Sequence, residues 1–480
     1  MNFKPVFYVI GILLLVLAAA QLGPMFLDLA DNNADWQVFA SSMTVTAFAG
    51  LALVLMNRQK EFKITLRETF LLTCIAWIFI AGFAALPFHF SQAEMSYAGA
   101  FFEAMSAITT TGSTAISGLD DLPRGILIWR FLLLWIGGIG FLIIALAVFP
   151  LLQISGMQIF KTQSFQIEKV MPSASQMAAF ICLIYVILTF VSTVILYLCG
   201  MSPFDALCHG MAALSTGGIS THDAAIAWFD SPLIEWVLVP FMIMGGLPFV
   251  MYLRFIKGDS EAMYRDNQVR LYFWILVSLS VAMTLWLAFT NDMGFFTALR
   301  KAVFFCVSYL TTTGFINGDH SEWGHFAVGI AFLAGFLGSC SGSTSGGIKL
   351  FRLQILFLTL RQQLRKLTSP HGVFPVHYNG KPVEPTLQAA VAGFFFIYII
   401  SWLLIGVALQ LTGLDFSTAF SGALAAISNT GVGIGDMIGP SGNFANLPSS
   451  AVWVFSFAML FGRIEFLTLL VLLTPHFWKG

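Results

Sequence analysis

Ten stretches of this chain are apolar for long enough to cross a bilayer, and nothing between them is polar enough to fold apart in water. A crossing takes about 20 apolar residues, and the stretches run near 5–27, 36–56, 67–87, 124–150, 176–200, 230–256, 268–291, 322–366 (interrupted), 385–412 and 447–474. The charge content agrees: 10% of residues are charged, against about 25% in a soluble domain. The first stretch lacks a small-residue cleavage site and reads as a membrane helix. The chain is a polytopic membrane protein.

Four further apolar segments, near 97–109, 203–215, 294–311 and 416–428, are too short to cross and suit re-entrant helices. With ten spans both termini share a side. The loops assigned to that side hold Lys4; Arg58, Lys60, Lys63, Arg67; Lys161, Lys169; Arg254, Lys257, Arg265, Arg270; Lys349, Arg352, Arg361, Arg365, Lys366, Lys381; and Lys479, which is 18 of the 23 basic residues. The positive-inside rule makes that side cytoplasmic. Acids collect opposite, among them Asp28, Asp31, Asp35, Asp120, Asp121, Asp223, Asp230, Asp319 and Glu322. They read as ordinary solvated loops or as a mouth that concentrates cations.

Each short segment ends in a hydroxyl-rich tract that meets a glycine: Thr109-Thr110-Thr111-Gly112, Ser215-Thr216-Gly217, Thr311-Thr312-Thr313-Gly314 and Ser428-Asn429-Thr430-Gly431. The glycines Gly112, Gly217, Gly314 and Gly431 lie 105, 97 and 117 residues apart. That is a fourfold repeat of span, short helix, tract and span. Irregular backbone inside a bilayer must be buried in protein or line water. Four such tracts around one axis can offer a ring of carbonyls in place of the water shell of a cation such as K+, with the negative ends of the short helices aimed at it. The competing reading is four small-residue helix contacts.

The eighth span is too long. Over 326–361 a continuous helix would measure on the order of 50 Å at 1.5 Å per residue, against a core of about 30 Å. Its middle carries Gly338, Gly342, Gly346 and Gly347 before Lys349, each interior glycine costing about 1 kcal/mol of helix stability. An unwound loop over 338–347 is expected, either a gate beneath the tracts or a passive hinge. It is no Walker loop, because Lys349 is followed by leucine. Arg463, near the middle of the last span, reads as a positive barrier on the ion path or as half of a structural ion pair, since membrane charges usually pair. Glu465 is too near in sequence to share its helix face. Gly137-Gly138-Ile139-Gly140 and Gly245-Gly246-Leu247-Pro248 read as helix packing or bending sites.

The function classes narrow accordingly. A net charge of −1 leaves no basic field for nucleic acid. The six cysteines show no CxxC pair and the histidines no ligand spacing, so neither a zinc site nor an enzyme is indicated. The reading is an all-α pore: two N-terminal helices (1–62), then repeats at 63–160, 161–264, 265–370 and 371–480. A passive K+ pathway and a proton- or sodium-coupled symporter with the same pore both fit.

The four tracts, together with Gly342-Ser343-Thr344-Ser345-Gly346-Gly347-Ile348-Lys349 and Gly462-Arg463-Ile464-Glu465, resemble the Trk/Ktr/HKT cation transporter superfamily over nearly the whole chain. The two additional N-terminal spans look like its bacterial TrkH/TrkG type. The resemblance implies a pseudo-tetrameric pore, a homodimer in the bacterial inner membrane, and K+ uptake (Rb+ accepted) controlled by a cytosolic TrkA-type nucleotide/NAD-binding ring. It places ion-facing carbonyls on Thr110 and Thr111, Ser215 and Thr216, Thr312 and Thr313, and Asn429 and Thr430. It also matches the glycine loop and Arg463 to gate elements. Gly112, where some plant relatives carry serine and move Na+, favours K+; Ser215 and Asn429 depart from the pattern.

Overall fold

The computed structural model describes residues 2–59, 64–144, 174–464 and 466–479. Lys60, Lys63, Lys161, Lys169, Glu465 and the part of span 124–150 past 144 lie outside the described residues. Among the described residues seven helices are long and apolar enough to cross a membrane, or eight with one bent pair. They include Lys4–Ala30, Trp36–Met56, Leu66–Phe90, Arg124–Ile143, Asn267–Thr290 and Pro385–Gln410. The six cysteines are free. A small hairpin pairs His377–Tyr378 with Lys381–Pro382.

Close backbone approach fixes the N-terminal pair. A Cβ on Gly11 would lie 2.8 Å from the Gly50 carbonyl oxygen, and one on Gly50 would lie 2.9 Å from that of Gly11. Gly50→Leu should therefore force these helices apart, lowering stability by about 1–3 kcal/mol, read as a fall in Tm of the detergent-solubilised protein.

The four short segments form helices of 12, 13, 16 and 12 residues: Tyr97–Ile108, Pro203–Ser215, Phe295–Leu310 and Phe416–Ile427. At 1.5 Å per residue each falls short of the hydrocarbon core. Side chains cap three of them at the N-terminus, Ser96 accepting from the amide of Gly99, Ser202 from Asp205 and Asp415 from Thr418.

The long eighth span breaks as expected, into His325–Leu337 and Leu350–Thr368. Two spans expected to be continuous break as well. Pro232–Gly246 and Phe249–Ile256 meet at 94°. Pro248 supplies no N–H and disfavours helix at the residue before it. Ser449–Arg463 stops at Arg463, and helix resumes at Phe466–Leu473. Arg463 therefore sits at a helix C-terminus, where a cation suits the helix dipole, and not in mid-helix. The second helices of repeats two, three and four all break.

Candidate ion pore

All four short helices end the same way. The amides of Thr110, Thr216, Thr312 and Asn429 each donate three residues back, to Ala107, Ala213, Tyr309 and Ala426. The amides of Thr111, Gly217, Thr313 and Thr430 donate five residues back, to Ser106, Ala212, Ser308 and Ala425, at 2.8–3.1 Å. This is the Schellman pattern, whose turning residue is left-handed and usually glycine. Here that residue is Thr110 (φ 53°), Thr216 (φ 53°), Thr312 (φ 54°) or Asn429 (φ 51°). A non-glycine residue held there costs of order 1–3 kcal/mol, so the surroundings must enforce it four times over.

The same pattern corrects the register of the second tract. Gly217 stands where Thr111, Thr313 and Thr430 stand, and Gly218 (φ 54°) stands where Gly112 (φ 88°), Gly314 (φ 79°) and Gly431 (φ 84°) stand. The sequence reading set Ser215-Thr216-Gly217 against the other tracts, one residue early. Ser215 instead matches Thr109, Thr311 and Ser428, whose hydroxyls also donate four residues back. The departure at Asn429 is harmless, because asparagine tolerates the left-handed region.

In that register the tracts close into a ring. A Cβ on Gly112 would lie 2.1 Å from the Gly217 carbonyl oxygen, one on Gly218 2.0 Å from that of Thr313, one on Gly314 2.1 Å from that of Thr430, and one on Gly431 2.2 Å from that of Thr111. Only glycine permits this approach. The alternative of four separate helix contacts is thereby excluded. Among the described residues no donor reaches the carbonyl oxygens of Thr110, Thr111, Thr216, Gly217, Thr312, Thr313, Asn429 and Thr430. Buried carbonyls are nearly always paired, so eight donor-free ones in one ring suit a cation.

The glycine loop lies directly against one end of the ring. The Gly346 amide donates to Thr312 Oγ1 at 2.7 Å, and Thr216 Oγ1 donates to Thr344 Oγ1 at 3.2 Å. A Cβ on Gly346 would lie 1.9 Å from the Ser428 carbonyl oxygen. Gly338 (φ 63°), Gly342 (φ 81°) and Gly347 (φ 73°) take left-handed turns, as does Lys349 (φ 76°), whose Nζ donates to the Ser345 carbonyl. The broken second helix of repeat two receives the loop: the Gly245 carbonyl accepts from the Thr344 amide (3.2 Å), and that of Gly246 accepts from the Cys340 amide (3.2 Å). Packing or bending is the role expected of these glycines; the structure adds that the carbonyls freed by the break ahead of Pro248 accept from the loop.

Arg463 Nη1 donates to the Thr344 carbonyl at 2.8 Å, with the guanidinium 4.0 Å from the Phe141 ring centroid. The cavity lined by Gly346, Lys349, Arg352, Asn429 and Arg463 has about 10 Å³, barely one water. The loop and Arg463 leave little open space at this level. At the other end, a cavity of about 80 Å³ is lined by Gly112, Gly218, Gly314 and Gly431 together with Arg130 and Asp223.

The acids expected at a mouth are mostly engaged. Asp28 accepts from the Gly125 amide (2.7 Å), Asp120 contacts His222, and Ser441 donates to Asp319 (2.7 Å). Arg124 donates to Asp31 and holds its carboxyl below the usual range. Glu103, left without a role by the sequence, meets Arg130 at 2.6 Å.

Residues 35–479 match the family model described as "TrkH: Cation transport protein". The chain is 39% identical to the Trk system potassium uptake protein TrkI of Halomonas elongata, over all of this chain and 97% of that one. It is 33% identical to the Trk system potassium uptake protein TrkH of Escherichia coli K12 over the full length of both. Among solved structures, the potassium transporter TrkH from Vibrio parahaemolyticus superposes with a TM-score of 0.92 at 32% identity, covering all of both chains.

Proposed function

The chain belongs to the TrkH family of cation transport proteins, and from that premise we propose that its ring of eight donor-free carbonyls is the selectivity filter of a potassium uptake pathway. That ring is the observation that carries the reading, because it offers oxygen ligands at fixed positions with no competing protein donor. Ions enter from the side of the 80 Å³ cavity and leave past the glycine loop. The loop, held by Thr312, Thr216, Gly245 and Arg463, is the gate, and Arg463 places a positive charge on the exit. The repeat boundaries given above belong to the same reading.

The protein works in the bacterial inner membrane with both termini in the cytoplasm, where its basic loops lie. It works as a homodimer under a TrkA-type nucleotide-binding ring. A cleft of about 760 Å³ on that face, lined by Arg254, Arg265, Arg270 and Lys381 and by Asp259, Glu261, Asp266 and Glu384, offers room for such a partner.

The test is uptake into liposomes. Rb+ should enter in clear preference to Na+ and at a rate indifferent to an imposed pH gradient. Strict dependence on the gradient would make the protein a proton symporter with the same pore, and no Rb+ entry under any gradient would sink the reading.

A further inference from the structure

Outside the ring itself, repeats one and two share a polar network built on a position that is apolar in repeats three and four. Glu103 lies nine residues before Gly112, and His209 nine residues before Gly218. Each reaches the residue two beyond its glycine. Glu103 Oε2 accepts from Thr114 Oγ1 at 3.2 Å and from the Ala115 amide at 2.8 Å. His209 Nε2 meets Ser220 Oγ at 3.0 Å, and its Nδ1 faces the Asp205 carbonyl oxygen at 2.8 Å. A carbonyl only accepts, so Nδ1 carries the proton and neutral Nε2 takes the Ser220 hydroxyl's hydrogen bond. The matching positions in repeats three and four are Phe305 and Gly422, the latter packed against the Phe455 ring.

Arg130 joins the two halves. Its Nε donates to Glu103 Oε1 at 2.6 Å and its Nη1 donates to the Ser220 carbonyl at 3.1 Å. The two side chains of the pair are 1% and 2% exposed. An ion pair so deeply buried stabilises little by itself, because desolvation offsets the attraction. Yet Arg130 also lines the cavity at the filter's mouth, where an unbalanced guanidinium would repel an arriving cation.

We propose that Glu103, Arg130 and His209 are positioning residues for ion selection: they hold the strands leaving the filter of repeats one and two through Thr114 and Ser220, while Glu103 cancels the Arg130 charge beside the ion path. The proposal rests on the potassium-uptake reading. It makes the pore's outer end asymmetric: a buried ion pair braces repeats one and two, whereas Phe305 packs on the His320 ring in repeat three and Ser421 hydrogen-bonds the Ile434 backbone in repeat four.

The experiment measures the KM for Rb+ uptake and the Rb+/Na+ preference in liposomes for wild type, Glu103→Gln and the double variant Glu103→Gln/Arg130→Gln. Glutamine keeps the size and one accepting oxygen while leaving the Arg130 charge uncompensated. A unit charge at about 10 Å in a medium of effective dielectric about 20 changes cation affinity by roughly tenfold. Glu103→Gln should therefore raise the KM by about tenfold. The double variant should bring it back to within about twofold of wild type, with the Rb+/Na+ preference still lowered because the Ser220 carbonyl has lost a charged donor. Wild-type KM and preference in Glu103→Gln, whatever its yield, would overturn the proposal, as would a double variant no better than the single one. Wild-type protein that takes up no Rb+ would instead defeat the uptake reading beneath it.

Discussion

Gly218→Ala is expected to lower Rb+ uptake at least about a hundredfold, whereas Gly217→Ala should lower it only severalfold. The two residues are adjacent and chemically identical, so the contrast tests the ring's register directly. At Gly218 the backbone is left-handed, and a Cβ would stand 2.0 Å from the Thr313 carbonyl oxygen. The left-handed conformation alone costs an L-residue roughly 1–2 kcal/mol. The clash cannot be relieved by rotating a side chain, since its partner is a backbone oxygen of the ring. A combined loss near 3 kcal/mol corresponds to about a hundredfold. At Gly217 the three other repeats carry threonine, so the conformation accepts a side chain. Its Cβ would meet the Leu134 side chain, nearest at Cδ1, 2.2 Å away, and a leucine can shift. Should Gly217→Ala prove the more damaging, the aligned position is Gly217 and the ring as described is wrong.

Arg463→Ala is expected to raise uptake in the absence of any regulatory partner by about tenfold to a hundredfold. Nη1 holds the loop at the Thr344 carbonyl, and the guanidinium lies over Phe141. Among the described residues Nε and Nη2 have no hydrogen-bond partner, so this single charged bond is its direct hold on the loop. Such bonds contribute about 1.5–3 kcal/mol, which moves a closed–open equilibrium by that factor. Removing the charge also lowers the barrier to a departing cation. Flux assayed in liposomes beside a melting curve decides the matter. Unchanged uptake together with a lowered Tm would reduce Arg463 to a structural cation.

Most of the architecture was legible because its signals are local. The Thr-Gly tracts stand at the ends of segments too short to cross, and the loop at 338–349 announces itself by four glycines in twelve residues. The register of repeat two was not legible: Gly217 and Gly218 look alike in a sequence, and only the hydrogen bonds and φ angles of the helix end tell them apart. The break after Gly246 has a usable signal in Gly-Gly-Leu-Pro, which a sequence alone reads as packing or bending and not as a break. The stop at Arg463 had only the weak signal of Gly462-Arg463-Ile464-Glu465 within an otherwise apolar span. Nor could a sequence pair Glu103 with Arg130 across 27 residues, or show Thr216 and Thr312 as the loop's partners, because those contacts exist only once the chain has closed on itself.

Each of the four glycines leans on the carbonyl of the following quarter, and the last leans on the first. A necklace clasped in this way has no loose bead. If one quarter's peptide turns, the contact it offered its neighbour is lost and the disturbance runs round to where it began. Ion discrimination in this protein is therefore expected to survive or collapse as a whole, and a mutation in any one quarter is tolerated only as far as the other three allow.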